Sequence, residues 1–154
     1  MAAEPFKAAG QQAEAALLQA IRETAEDGLT AALENIDRME LYGATNWLST
    51  SGYTVHLQDR SQFGFTAPYG ADVNHGTPAH LVDVEDLTEW ARIKFKLRPE
   101  EARRMAHAVR ASIAKQGTKP KPFFSNAVER VRARLPGNAQ AKLDQRLGSY
   151  RSPT

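Results

Sequence analysis

YTVHLQDRSQFGF, Tyr53 to Phe65, is where the side-chain period of this chain changes from helical to extended. Tyr53, Val55 and Leu57 alternate with Thr54, His56 and Gln58, while Phe63 and Phe65 alternate with Gln62, Gly64 and Thr66. A period of two belongs to a strand with one face toward a core, so the spacing predicts two half-buried strands. Asp59, Arg60 and Ser61 between them supply a short hairpin turn.

Upstream, Leu17, Ile21, Ala25, Leu29, Ala32, Leu33 and Ile36 recur at three- and four-residue steps, with Glu14, Arg22, Glu26, Glu34 and Arg38 between them. That spacing predicts an amphipathic helix over residues 11 to 41, preceded by a flexible N-terminus at residues 1 to 10. Gly28 falls inside the helix, where glycine costs ~1 kcal/mol relative to alanine. A small antiparallel sheet of two to four strands laid on this helix buries the apolar faces of both.

Downstream, residues 66 to 82, TAPYGADVNHGTPAHLV, are dense in Gly, Pro, Asn and Asp and read as a structured loop with room for a further short strand. Asp83 is placed to cap a helix, with Asp86 three residues on, Leu87, Trp90 and Ala91 as its buried stripe, and an end near Leu97. Pro99 suits the first turn of the next helix, whose apolar side is Ala102, Met105, Ala106, Val109 and Ile113 and which Gly117 terminates. KPKP, Lys119 to Pro122, forces an extended link. A last helix then runs from about Ser125, its cap, to Leu135, with Pro136 and Gly137 as its stop. Residues 138 to 154 read as a tail with a short helical stretch around Ala139 to Leu147. The expected fold class is α+β, a single domain over residues 11 to 137 in which the long N-terminal helix and the C-terminal helices pack on a small antiparallel sheet.

Composition excludes several function classes. The 154 residues suit one domain. There is no cysteine, hence no disulfide, thiolate zinc site or cysteine nucleophile. No window is long and apolar enough for a membrane span, and the N-terminus lacks the apolar block of a secretory signal, so synthesis in the cytoplasm and no membrane partner are expected. The formal net charge of +2 is unevenly spread: residues 98 to 154 carry thirteen Lys or Arg against four Asp or Glu, and residues 1 to 97 carry seven against fourteen. Such polarity can orient a subunit in an assembly or turn a basic face toward nucleic acid.

Catalytic signatures are absent. His75 and His80 flank a loop that also holds Asp72 and Asp83, but the spacing is not that of a metal site. There is no GxGxxG and no P-loop pattern, so no cofactor is expected. Phe123 and Phe124, after the proline link, serve better as anchors into the core or into a neighbouring subunit than as bases' stacking partners.

Two segments together carry a resemblance. PYGADVNHGTPAH, Pro68 to His80, resembles the tyrosine-loop-glycine-threonine segment of the gene-ten-like tail-completion proteins of siphophages and myophages, through Tyr69, Val73, Gly76 and Thr77. GTKPKPFFSNAVERV, Gly117 to Val131, resembles their proline-phenylalanine turn feeding a helix, through Pro122, Phe123, Phe124 and Ala127. The resemblance implies a non-enzymatic structural protein of the bacteriophage neck, present in the virion and assembled in the host bacterial cytoplasm. It implies a homo-oligomeric ring, hexameric or dodecameric, that joins the tail to the capsid connector, contacts an adaptor or stopper and the tail terminator or tail tube, and lets DNA pass without reading its sequence. Subunit or partner contacts are then expected at Tyr69, His75, Gly76, Thr77, Lys119, Lys121, Pro122, Phe123, Phe124, Arg130 and Arg134. The competing expectation is a small DNA-binding regulator that uses the basic C-terminal half. A hydrolase centred on His75 and His80 is the third, and it has no paired acid and base of recognisable spacing.

Overall fold

Small side chains decide how this chain packs. The computed structural model describes residues 3–43 and 45–150. In chain order it contains α1 (Ala3–Arg38), α2 (Trp47–Thr50), β1 (Gly52–His56), β2 (Ser61–Phe65), α3 (Gly70–His75), α4 (Val84–Phe95), α5 (Pro99–Gln116), α6 (Phe123–Leu147) and a closing 3-10 turn at Gly148–Tyr150. The fold is α+β, helices with a two-stranded antiparallel sheet. It divides into two compact units: one holds the residues up to Ala32, Tyr53–Gly64 and those from Asn126 onward, and the other holds Leu33–Gly52 and Phe65–Ser125.

In the first unit, the line that α1 buries meets the predicted stripe at Ala25 and Ala32 and departs from it at Leu17, Ile21 and Leu29. Ala16, Ala20, Thr24, Ala25, Gly28, Ala31 and Ala32 are the buried positions, whereas Leu17 is exposed and Ile21 and Leu29 are half-buried. Gly28 is required by a close approach: a Cβ there would sit 2.5 Å from the Phe63 ring of β2. Packing half a phenylalanine against bare helix backbone is worth roughly 1–2 kcal/mol and offsets glycine's cost to the helix.

The hairpin differs from expectation in register. Leu57 donates its N–H to Arg60 O at 2.8 Å, so Gln58 and Asp59 alone form the turn, and His56 Nδ1 lies 2.9 Å from Ser61 Oγ across the ladder. A turn of Asp59, Arg60 and Ser61 would have set Tyr53, Val55 and Leu57 on the same face as Phe63. A turn one residue shorter sends the two sets to opposite faces, because the side-chain period is two. Thr54 and His56 therefore share the α1 side with Phe63, His56 Nε2 standing 3.1 Å from Glu26 Oε1, and Tyr53, Val55 and Leu57 are each about 40% exposed.

α6 is longer than expected, running through Pro136 and Gly137 to Leu147. Proline removes one ladder hydrogen bond, and contacts with α1 hold the helix beyond it. Lys142 Nζ lies 2.9 Å from Glu23 Oε1, and Arg146 donates to Gln19 Oε1 at 2.9 Å and to Gln12 Oε1 at 3.3 Å, an antiparallel order of partners. α1 likewise begins at Ala3, not near residue 11. Of the expected tail, residues 151–154 lie outside the described residues, as do residues 1 and 2 of the expected N-terminal arm.

In the second unit, Asp83 caps α4 as its sequence suggests, its Oδ1 accepting from Glu85 N at 2.7 Å. Pro99 opens α5, and Glu101 reaches back to accept from Arg98 N at 3.3 Å, with the Arg98 guanidinium 2.9 Å from its other oxygen. Those bonds hold the Glu101 carboxyl below its ordinary pKa. Ala91 of α4 and Ala102 and Ala106 of α5 are fully buried, which lets these two helices approach closely. The largest buried side chains of this unit are Ile36, Leu48 and Phe123.

A candidate interaction surface

The second unit carries a clasp between two Gly-Thr dipeptides forty-one positions apart. Thr77 N donates to Thr118 O and Thr118 N to Thr77 O, both at 3.1 Å, forming an isolated antiparallel bridge. The hydroxyls join in: Thr77 N lies 3.0 Å from Thr118 Oγ1, Thr118 N lies 3.2 Å from Thr77 Oγ1, and the two oxygens are 2.9 Å apart. Each threonine is preceded by a glycine of positive φ, 71° at Gly76 and 70° at Gly117. A Cβ on Gly76 would stand 2.4 Å from Thr118 O, and one on Gly117 would stand 1.9 Å from Thr77 O, so both sites exclude any other residue twice over. The further short strand expected in this loop is this single bridge.

Asn74 extends the clasp into a helix cap. It is 4% exposed, and its Oδ1 accepts from Phe124 N at 3.0 Å and Ser125 N at 3.1 Å, while its amide donates to Ser125 Oγ at 2.7 Å. α6 thus starts at Phe123 and is capped by a side chain some fifty positions earlier in the chain, whereas Ser125, the expected cap, is inside its first turn. Lys121 N donates to Val73 O at 2.8 Å, and Asn35 of α1 donates to Phe123 O at 2.8 Å from a buried position. Residues 73–77 and 117–125 are thereby one structural element.

The expected contact residues fall as follows. Tyr69, His75, Gly76, Thr77, Lys119, Lys121, Pro122, Phe123 and Phe124 all belong to the second unit, and Arg130 and Arg134 are exposed on α6 in the first. Phe123 is 1% exposed, edge-on to Phe65 at 5.4 Å, so it anchors the core and is withdrawn from any partner. Phe124 is half-buried, 6.3 Å from Phe65. His75, Lys119 and Lys121 are exposed, and Pro122 is half-buried. Tyr69 is half-buried, edge-on to Trp47 at 5.8 Å. Asn74 and Thr118 were missed; the repeated Gly-Thr pair at 76–77 and 117–118 was the available signal, and nothing in the sequence pointed to Asn74 as a cap for so distant a helix.

Beside Tyr69 the second unit carries a groove of about 420 Å³ walled by Tyr42, Leu48, Tyr69, Val73 and Trp90, with Glu40 and Lys94 at its rim. A second concavity shares Glu40, Tyr42 and Lys94 and adds Ile93 and Phe95. Lys94 Nζ lies 5.6 Å from the Trp90 ring centre and 5.7 Å from that of Phe95, within cation–π range of both. Tyr42, Trp47, Ile93 and Phe95 are each 39–47% exposed. Among the described residues no group of three or more His, Asp or Glu is placed to hold a metal ion, and no helix is long and apolar enough to cross a membrane. The chain matches no family model, no curated protein and no solved structure.

Proposed function

We propose that this chain is a structural subunit of a bacteriophage neck, a ring-forming tail-completion protein that joins the tail to the capsid connector. What supports the reading is the junction of the two segments that resemble the tail-completion pattern. Residues 73–77 of the first and 117–125 of the second are distant in sequence, yet the Gly-Thr clasp and the Asn74 cap make them one element. The polar groups of that element are consumed in binding one another: amides, carbonyls and hydroxyls of Thr77 and Thr118 are mutually paired. Such a loop offers a fixed shape to a partner.

The mechanism is geometric. Copies assemble around the DNA passage, one surface meeting an adaptor or stopper and another the tail terminator or tube, and no bond is made or broken. DNA runs through without sequence-specific contacts. The experiment is to delete the gene from the phage that carries it and to examine purified wild-type particles by mass spectrometry and electron microscopy. Filled heads separated from tails in the deletion, with the protein at the neck of intact particles, are expected. Absence from purified particles, or turnover of a substrate by the purified chain, overturns the proposal.

A further inference from the structure

Resting on the neck reading, we infer that the aromatic groove of the second unit receives the Phe6 side chain of a second copy, and that Glu40 receives the ammonium of the neighbouring Lys7. Phe6, at 79%, is the most exposed of the large apolar side chains among the described residues. In α1 the residues three, four and seven positions on are Ala9, Gly10 and Ala13, so the ring stands alone on a face of small residues, shaped as a knob. Lys7 follows about 100° round the helix, so its long side chain leaves from the adjoining face and its ammonium meets a different part of an incoming surface from the ring.

The groove is the complementary shape. Its walls are Tyr42, Tyr69 and Trp90, and its rim carries a carboxylate, Glu40, and an ammonium, Lys94. Lys94 lies over the rings of Trp90 and Phe95, so its charge is engaged within the wall and an incoming cation meets Glu40. Phe6 and the groove belong to different units of the chain, so knob and hole are two different patches. Contacts between unlike patches propagate head to tail and close into a ring when the rotation permits. One aromatic anchor with one ion pair buries far less than the ~1,200 Å² of a stable pair of proteins, so each contact is weak alone and is strengthened by ring closure and by neighbouring neck proteins.

The absence of cysteine makes the test clean. Full-length Lys7→Cys and Glu40→Cys chains are mixed under mild oxidation, in concentrated solution and in phage particles carrying the Lys7→Cys/Glu40→Cys double variant. Expected are linked dimers from the mixture and a ladder of multimers from the double variant, both exceeding those from an Arg60→Cys control at the hairpin tip. Phe6→Ala should lower cross-linking at least ~10-fold. Lys7→Glu and Glu40→Lys should each weaken sedimenting association ~2- to 5-fold, and the two together should restore it. Linkage no better than the control, failure of the charge swap to restore association, or a linked monomer in place of multimers overturns the inference. If the protein is in particles without this linkage, the groove proposal fails and the neck reading stands; if linkage occurs but particles lack the protein, the reverse holds.

Discussion

Replacing Asn74 by alanine tests whether the clasp and the last helix form one element. Asn74 is 4% exposed and contributes an acceptor shared by Phe124 N and Ser125 N and a donor to Ser125 Oγ. Losing a side-chain cap costs ~1 kcal/mol, within a range of about 0.5–2. Losing the second, part-buried hydrogen bond to Ser125 adds ~1 kcal/mol, because its partner is left in a poorly hydrated site. The expected loss is therefore ~2–3 kcal/mol, which for a protein of this size lowers Tm by roughly 4–12 °C. Asn74→Asp keeps the acceptor and places a negative charge at the start of α6, so it should cost under ~1 kcal/mol above neutral pH. Urea unfolding followed by circular dichroism gives both values, and a double-mutant cycle with Ser125→Ala should yield a coupling of at least ~0.5 kcal/mol. If Asn74→Ala stays within ~0.5 kcal/mol of the native chain at unchanged m, the cap is incidental and the reasoning is wrong.

Other outcomes follow from single close approaches. Gly28→Ala gains ~1 kcal/mol of helix propensity but drives a Cβ to 2.5 Å from the Phe63 ring, so overpacking of ~1–3 kcal/mol prevails; the net loss, read by urea unfolding, should shrink in Gly28→Ala/Phe63→Leu. Gly117→Ala meets a backbone oxygen that has nowhere to move, Thr77 O, at 1.9 Å, and adds a strained φ; it should cost ~3 kcal/mol or more or leave the chain insoluble, judged by soluble yield and Tm. Lys142 and then Gln19 hold the Glu23 carboxyl below its ordinary value of 4.5, so its stabilising contribution is complete above that pH and disappears as pH falls through the lowered value. Because Glu23 is about two-fifths exposed the effect is only ~0.5 kcal/mol, and Lys142→Met should remove that share of the acid dependence in melts between pH 7 and pH 3.

Strong local signals were legible in the sequence. Asp83, Pro99 and Gly117 mark element ends by backbone chemistry that acts within one or two residues, and all three stand where that chemistry places them. The hairpin's existence was legible for the same reason, but its register turned on whether two or three residues make the turn, and QDRS contains no glycine to decide it. The buried line of α1 was legible at Ala25, Ala32 and Ile36 but not at Ala16 and Ala20, which are fully withdrawn from water, because alanine carries little weight in a hydrophobic period. Pro136 ends a helix that has only local support, and the ion pair and hydrogen bonds from Lys142 and Arg146 to α1 are long-range support that no window of sequence contains.

The charge asymmetry of the sequence takes a different form in the fold. The first unit draws on both ends of the chain and holds nine Lys or Arg against eight Asp or Glu, while the second holds eleven against ten, so the acidic and basic halves are not two oppositely charged bodies. Glu23 with Lys142 is one place where they neutralise each other within a unit. In the proposed ring, attraction between copies would then rest on local pairs such as Lys7 with Glu40, and its salt dependence should be shallow. Raising salt from ~50 mM to ~500 mM shortens the screening length from about 14 to about 4 Å, which for one partly exposed pair weakens association only ~2- to 5-fold, while the apolar contact at Phe6 is unaffected or strengthened. Sedimentation across that series measures it. A fall of a hundredfold or more would mean that extended charged faces drive assembly, and the Phe6 contact could not be its principal source.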